Sequence, residues 1–453
     1  MTRRPLFPGH VLLLRPISKT EFETEFQNRP GFCSTASNII HVDCIVIRIA
    51  TPFQVSLYRK LATPFSSNLS NESADTIAQY IKDTLQKKGI FSKCIALTGD
   101  NCNTMFGGIR RNEEGKNVFA HLKKSLQNTA LIGVGCPAHI LNNCVHHGAD
   151  TLDLDIEQII FKIYHHFNIY TVRTENLKEY CEFADVNYRA LLSHSKTRWL
   201  SLFPGIERLL QMYPALKAFF LRFFEDEFSE IYLWQMHSLI SVFQSNIQEM
   251  EREDNSVVEV KRILNKVQSL LHERKMNNFM PLKVKSMLAQ KQKDGYGQRC
   301  DNFSAQVQGL YSSCLDYLQK WMATMEEFSI FMWVDLSEIT DWNDVEACIK
   351  NLAEKGVEVD DAKCFDQVTN LKKFIEKNGA EFSDLQAHQR WTKFFERSKS
   401  VDFHSELPKM VQFFLNTCPQ CKCGSYKSTS HFGVLMSLYT ALDVMTPVSV
   451  NSH

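Results

Sequence analysis

Hydrophobic and polar positions follow two different patterns along the chain, and the change comes near residue 151. Between about residues 44 and 136, short apolar runs rich in β-branched and aromatic residues alternate with segments of helical period. The helical segments are 70–90 and 115–128, and the predicted strands are 44–53, 55–65, 94–100 and 130–136. This order indicates an α/β sheet with a crossover helix.

After residue 151 the apolar period is helical. Broad apolar faces over 154–170 and 230–250 predict helices, whereas the polar, glycine-containing stretch 291–302 predicts a loop. A further segment carries an apolar seam with alternating three- and four-residue spacing, formed by Val257, Val260, Leu264, Val267 and Leu271. Too few heptads follow for a long coiled coil, so an intramolecular bundle is favoured over an intermolecular coil.

Length and charge limit the number of domains and the kinds of partner that the sequence predicts. The chain has 453 residues, which favours two or three domains, and its 51 basic and 51 acidic residues give no overall bias toward nucleic acid or membrane. The sequence predicts no membrane-spanning segment and no export signal. Its 14 cysteines follow no framework spacing, so reduced thiols inside the cell, in nucleus or cytoplasm, are expected.

Three ordered blocks carry candidate chemistry. They read TGDNCNTM over 98–105, CPAHILNNCVHH over 136–147, and SKTRWLSLFPGIERLLQMYPALKAFF over 195–220. In this order they resemble the hAT superfamily of DNA transposases, whose pattern has an Asp-Asn pair after a strand, a Cys-x-x-His motif opening a helix, and a later Arg-Trp pair. The resemblance extends from about residue 40 to about residue 415.

The resemblance implies a fold class of α/β plus all-α. In it, an RNase H-like mixed sheet with flanking helices is followed by a large α-helical insertion domain. It also implies an active site in which three carboxylates hold two Mg²⁺ or Mn²⁺ ions. Asp100 matches the second carboxylate, and His139 matches a histidine that supports the active site. Arg198 and Trp199 match the family's Arg-Trp pair, in which the tryptophan lies near the DNA and assists a flipped base by stacking; Arg198 could add a phosphate contact.

Each of these residues also has a purely structural interpretation. Asp100 could cap a helix or form an Asx turn, and His139 could be a core histidine bonded to backbone. Trp199 could be buried, anchoring the helical domain to the sheet.

Two of the three family carboxylates are missing from the sequence. The first should lie in a Ser-Thr-Asp-Ala stretch, but the chain has Thr35 followed directly by Ala36, and Asp43 is displaced along the strand. The third belongs to a Glu-Arg motif near the C-terminus, and Glu396–Arg397 precedes the expected place. One carboxylate cannot hold two metal ions, so Asp100 is predicted to be vestigial, with weak or no metal binding. No cofactor is expected, and Mg²⁺ or Mn²⁺ enters only if the chain is catalytic.

Zinc is the other metal considered. Cys136 and His139 have the spacing of two ligands, and Cys144, His146 and His147 follow in the same segment, but no known finger spacing is reproduced. A second cluster, Cys418, Cys421 and Cys423, lacks a matching cysteine pair. Reduced thiols are the favoured interpretation of both.

The predicted organisation has four parts: an irregular segment over 1–35, an RNase H-like core over 36–203, a helical insertion domain over 204–410 and a divergent tail over 411–453. The predicted function is a catalytically inactive, transposase-derived protein acting as a nuclear nucleic-acid-associated or protein-interaction module. An active metal-dependent transposase or nuclease and a helical scaffold without DNA binding are the alternatives. DNA and other proteins are the expected partners. The family's dimerisation segment and its BED-type zinc finger are expected to be absent.

Overall fold

A computed structural model describes most of the chain. The described residues are 41–49, 73–87, 89, 91, 94–99, 101–108, 115–126, 131–194, 201–220, 226–250, 255–337, 340–354, 357–382, 385–398, 406–416 and 431–438. Several predictions lie outside them: the segment 1–35, the strand 55–65, and the residues Asp100, Arg198, Trp199, Cys418, Cys421 and Cys423.

Helices dominate the described residues, and a small sheet accompanies them. The strands are β1 (His41–Ile49), β2 (Cys94–Gly99), β3 (Ile132–Gly135) and β4 (His431–Leu438). The helices up to residue 219 are α1 (Ala74–Lys87), α2 (Asn103–Phe106), α3 (Val118–Leu126), α4 (Pro137–Ala149), α5 (Ile156–Asn168), α6 (Thr171–Phe183), α7 (Leu202–Gln211) and α8 (Tyr213–Phe219). The described residues are thus mainly helical with a small sheet, and the RNase H-like core stays a prediction.

The later helices are longer. They are α9 (Ser229–Met250), α10 (Val257–Met276), α11 (Leu282–Lys293), α12 (Gly297–Met322), α13 (Trp342–Glu354), α14 (Asp361–Asn378), α15 (Ala387–Arg397) and α16 (Glu406–Asn416). A 3₁₀ segment, Ala323–Asp335, follows α12, and a shorter one, Gly379–Glu381, follows α14. Among the described residues, no helix is both long and apolar enough to cross a membrane.

The four strands form one mixed sheet in the order β1-β4-β2-β3. Strands β2 and β3 are parallel, with Ala96 opposite Ile132 and Gly99 opposite Gly135, and α3 lies between them in sequence. Strand β4 is antiparallel to β2 and parallel to β1. The predicted strand–helix–strand unit around residues 94–136 is therefore confirmed.

Helix α1 shows how the local sequence sets an element. Ile77, Ile81 and Leu85 are buried on one face, as their spacing predicts. The Ser73 hydroxyl accepts a hydrogen bond from the Thr76 backbone N–H at 3.2 Å, which satisfies a donor of the first turn. Gly89 follows the helix with φ +65°, a left-handed conformation that glycine adopts without steric cost.

The core beside β2 is built from α1, α2 and α3. It is a single cluster of buried apolar side chains comprising Ala74, Ile77, Ala78, Ile81, Leu85, Phe91, Cys94, Leu97, Met105, Phe106, Val118, Phe119, Leu122 and Leu131. Full burial of a Leu or Phe side chain contributes about 1.5–3 kcal/mol, so this cluster holds the helices against the strand.

The chain divides into two compact units, each assembled from discontinuous segments. Of the described residues, one unit takes those within 145–244 and 274–312, and the other takes those within 41–144, 245–273 and 313–438. The second unit contains the sheet. The contiguous division at residues 36, 204 and 411 stays a prediction.

The apolar seam of α10 lies inside the chain. Val257, Val260, Leu264, Val267 and Leu271 are all fully buried, as expected of an intramolecular helix packing.

The loop predicted over 291–302 is wrong at both ends. Helix α11 continues to Lys293, and α12 already begins at Gly297. Only the turn around Gly295, whose φ is +95°, separates the two helices. The early start of α12 is favoured because Cys300, Phe303 and Val307 are buried at helical spacing, which outweighs the weak helix propensity of glycine.

The side chains of nine cysteines are described, and all of them carry thiols rather than disulfides. Only Cys102 is more than slightly exposed; the other eight are buried. Burial raises the pKa of the Cys94 and Cys364 thiols to about 12, because a thiolate would lose its hydration.

Candidate functional site

The carboxyl ends of β2 and β3 meet where the first two motif blocks come together. The Cys136 backbone N–H donates to the Gly99 carbonyl at 2.8 Å, beside the last parallel pair, Gly99 and Gly135. The buried Asn101 side chain then donates through Nδ2 to the Cys136 carbonyl at 2.7 Å. The Asp-Asn block and the Cys-x-x-His block are thus joined by a buried hydrogen bond between residues 35 positions apart.

Close packing behind this edge explains two glycines. A Cβ atom at Gly99 would lie 2.7 Å from the Met105 Cε atom, and one at Gly133 would lie 3.0 Å from the Phe106 ring. Both distances are shorter than ordinary carbon–carbon contacts. A side chain at Gly99 would displace the flexible end of Met105, and one at Gly133 would have to shift the rings of Phe106 and Phe119. The short helix after the Asp-Asn block is therefore pressed directly against the strand ends.

Of the predicted site residues, His139 is described near this edge, and Asp100 is not. Strand β2 ends at Gly99, directly before Asp100, which itself lies outside the described residues. His139 is half-buried in the first turn of α4, a helix that begins at Pro137. Proline is favoured at the first helical position, because its missing N–H would have no partner there.

The cysteines and histidines of α4 do not converge on one point. The buried Cys144 thiol donates to the Cys314 carbonyl at 3.1 Å, and the Cys314 thiol donates to the Cys144 carbonyl at 3.4 Å. Burial holds the pKa of Cys144 well above its usual range, so this sulfur stays protonated and is a poor metal ligand. In the part of the chain that the structure describes, no group of three or more His, Cys, Asp or Glu side chains is placed to hold a metal ion.

A polar cluster brackets the stretch that contains Arg198 and Trp199. The His194 side chain is 1% exposed; its Nδ1 lies 2.8 Å from the Ser201 hydroxyl and its Nε2 lies 3.2 Å from a Glu157 carboxylate oxygen. Glu157 is in the first turn of α5, and Ser201 immediately precedes α7. The residues flanking 195–200 are therefore tied to each other and to α5.

Sequence reasoning missed this cluster. Glu157 and His194 are 37 positions apart, and no spacing rule relates them. Only the helix-opening position of Ser201, within the third block, could have drawn attention to it.

Comparisons of the chain with protein-family models, with curated proteins and with solved structures found no match.

Proposed function

We propose that this chain is a hAT-like, transposase-derived protein that lacks catalysis and acts as a nuclear module associating with nucleic acid or with other proteins. The observation that carries the proposal is the hydrogen bond from Asn101 to the Cys136 carbonyl. It brings two motif blocks that are separate in sequence to one edge of a parallel strand pair. In an RNase H-like core, that edge is where the second carboxylate belongs.

The absence of catalysis is proposed from the sequence. Thr35 is followed by Ala36 where the first acid is expected, and no Glu-Arg motif follows the place of the third. Asp100 would then be a relict that binds Mg²⁺ or Mn²⁺ weakly, because one carboxylate cannot offset the dehydration of the ion.

The first experiment measures nucleic-acid binding by the full chain. Fluorescence anisotropy with single-stranded, hairpin and duplex DNA, at several salt concentrations, would give an affinity and a salt slope for each. We expect binding that weakens with salt. No binding to any of these DNAs at low salt would refute nucleic-acid association and favour the helical scaffold or a protein partner.

The second experiment tests catalysis. Wild type and Asp100→Ala are incubated with Mn²⁺ and hairpin or nicked DNA, and cleavage products are counted. We expect no cleavage by either protein. Cleavage by wild type that disappears in Asp100→Ala would overturn the proposed loss of catalysis and favour an active transposase or nuclease.

A further inference from the structure

The unit formed by Val145–Gln244 and Arg274–Ser312 carries a cluster of half-buried aromatic side chains. Phe203 on α7 stacks on His237 of α9, with ring centroids 4.7 Å apart and planes inclined by 21°. The Trp234 ring meets the edge of His237 at 5.8 Å. Each of these three side chains keeps part of its surface in solvent. We call Phe203, Trp234 and His237 the aromatic cluster.

Cations border the aromatic cluster on the side of α10 and α11. Lys283 Nζ lies 5.2 Å from the Trp234 ring centroid and 3.8 Å from a Glu230 carboxylate oxygen. The Trp234 indole N–H donates to the same Glu230 oxygen at 3.3 Å, which fixes the ring. Arg274 donates to the Ser238 carbonyl at 2.9 Å, beside His237.

Positive charge is concentrated in the sequence that supplies these cations. Residues 274–299 contain seven lysines and arginines and one acid, in a chain whose charges balance overall. Lys291 and Arg299 pair with Glu227 and Asp226, whereas Lys285 and Lys293 are exposed. Two acids, Glu207 and Glu230, belong to the same surface, and Glu230 is already engaged by Trp234 and Lys283.

We propose that the aromatic cluster and its bordering cations form a binding surface for single-stranded nucleic acid; this rests on the proposed function and names its contact surface. Aromatic rings interleaved with cations fit single strands, because unstacked bases can lie on the rings while phosphates meet the cations. A duplex keeps its bases stacked and offers only phosphates. Lys283 is 55% exposed on a flexible stem, so a phosphate can draw it away from Glu230 and open the face of Trp234 to a base.

The test compares two charge reversals in the full chain. Lys283→Glu changes the proposed surface, and Lys373→Glu makes the same change of charge at an exposed position on α14. Affinity for a fluorescent single strand of about 16 nucleotides is measured over a range of salt. We expect Lys283→Glu to weaken binding about tenfold at low salt and to lower the salt slope by about 0.7 or more, since a phosphate contact is lost. Lys373→Glu should bind like wild type.

A third variant tests stacking. We expect Trp234→Leu to weaken binding about tenfold at every salt concentration, with the slope unchanged, because stacking releases no counterions. If Trp234→Leu does not fold, the comparison of Lys283→Glu with Lys373→Glu is sufficient to test the proposed surface.

The outcomes separate this inference from the proposed function. Wild-type binding that both charge reversals weaken equally, or that neither weakens, would overturn this surface and leave nucleic-acid association standing. Stronger binding to heparin or to an acidic peptide than to the single strand would also overturn it. No wild-type binding to any nucleic acid would refute the proposed function itself.

Discussion

Glu259 is the buried carboxylate whose removal we expect to cost the most stability. Its side chain is 3% exposed and accepts two backbone hydrogen bonds. The Ser256 N–H donates to Oε2 at 2.7 Å, and the Ala387 N–H donates to Oε1 at 3.2 Å. The Glu259 N–H in turn faces the Ser256 hydroxyl at 3.4 Å, so the pair closes the start of α10 as a capping box while Glu259 also caps α15.

The expected cost follows from these contacts. Glu259→Ala leaves two buried N–H donors without acceptors, each worth about 1–3 kcal/mol. Part of this is recovered, because burial raises the pKa of Glu259, which means that the ionised carboxylate is itself costly in the fold. We therefore expect a net loss of about 2–4 kcal/mol in unfolding free energy, and about half of that for Glu259→Gln, which keeps one acceptor oxygen.

Urea unfolding followed by circular dichroism would measure the loss. Glu376→Ala is the matched control, because Glu376 is exposed on α14 of the same unit and should change stability by less than about 0.5 kcal/mol. A Glu259→Ala variant as stable as the control would refute the reasoning, since two buried donors cannot lose their acceptors without cost.

The raised pKa of Glu259 also predicts that the stability of the protein depends on pH. Because the folded state holds the Glu259 proton more tightly than the unfolded chain, its contribution to stability is complete below the ordinary glutamate pKa of about 4.3. That contribution is lost as pH rises through the raised pKa. The unfolding free energy of wild type, measured relative to that of Glu259→Gln, should therefore decrease as pH rises. A difference that is independent of pH would contradict the raised pKa.

Three further variants test other parts of the fold. Burial and a nearby arginine lower the pKa of His166 to about 4, so the stability it contributes should be lost as pH falls from about 6.5 toward 4. Thermal melts should show a weaker acid dependence for His166→Asn than for the exposed control His165→Asn, and equal slopes would refute this. Trp391→Phe removes a 2.7 Å hydrogen bond to the Val334 carbonyl, and should lower unfolding free energy by about 2–4 kcal/mol in urea titrations. Asn101→Ala should lower the unfolding free energy by about 1–3 kcal/mol, because it removes the side-chain hydrogen bond between the carboxyl ends of the parallel strands. Unchanged amide hydrogen exchange at these strand ends would contradict this.

Local sequence patterns were enough to predict most single elements near the sheet. The positions of Ile77, Ile81 and Leu85 predict both α1 and its buried face, because one period decides which side of a helix meets the core. A short apolar run predicts strand β2, and the alternating three- and four-residue spacing predicts the seam of α10. The Ser256–Glu259 capping box also lay within reach of local rules, since Ser-x-x-Glu before an apolar run is its known signature.

Contacts between distant residues could not be predicted in this way. Asn101 meets the Cys136 carbonyl, and Glu157 meets His194, only because helices and strands bring them together after folding. The loop prediction was wrong at Gly297 for a related reason. The residues that follow Gly297 are buried in the folded chain, and this burial outweighs the weak helix propensity of glycine, so α12 begins there. The aromatic cluster combines three residues from two helices, and no single stretch of sequence carries its signature.

The buried thiols allow local opening of the structure to be measured by thiol labelling. Eight of the nine cysteines whose side chains are described lie out of reach of a dissolved alkylating reagent, and they are distributed over both units. Each can react only when the surrounding structure opens, so its labelling rate reads the free energy of that opening. Timed alkylation followed by peptide mass spectrometry would map the unit of Cys181 and Cys300 separately from that of Cys348 and Cys364, without any engineered probe.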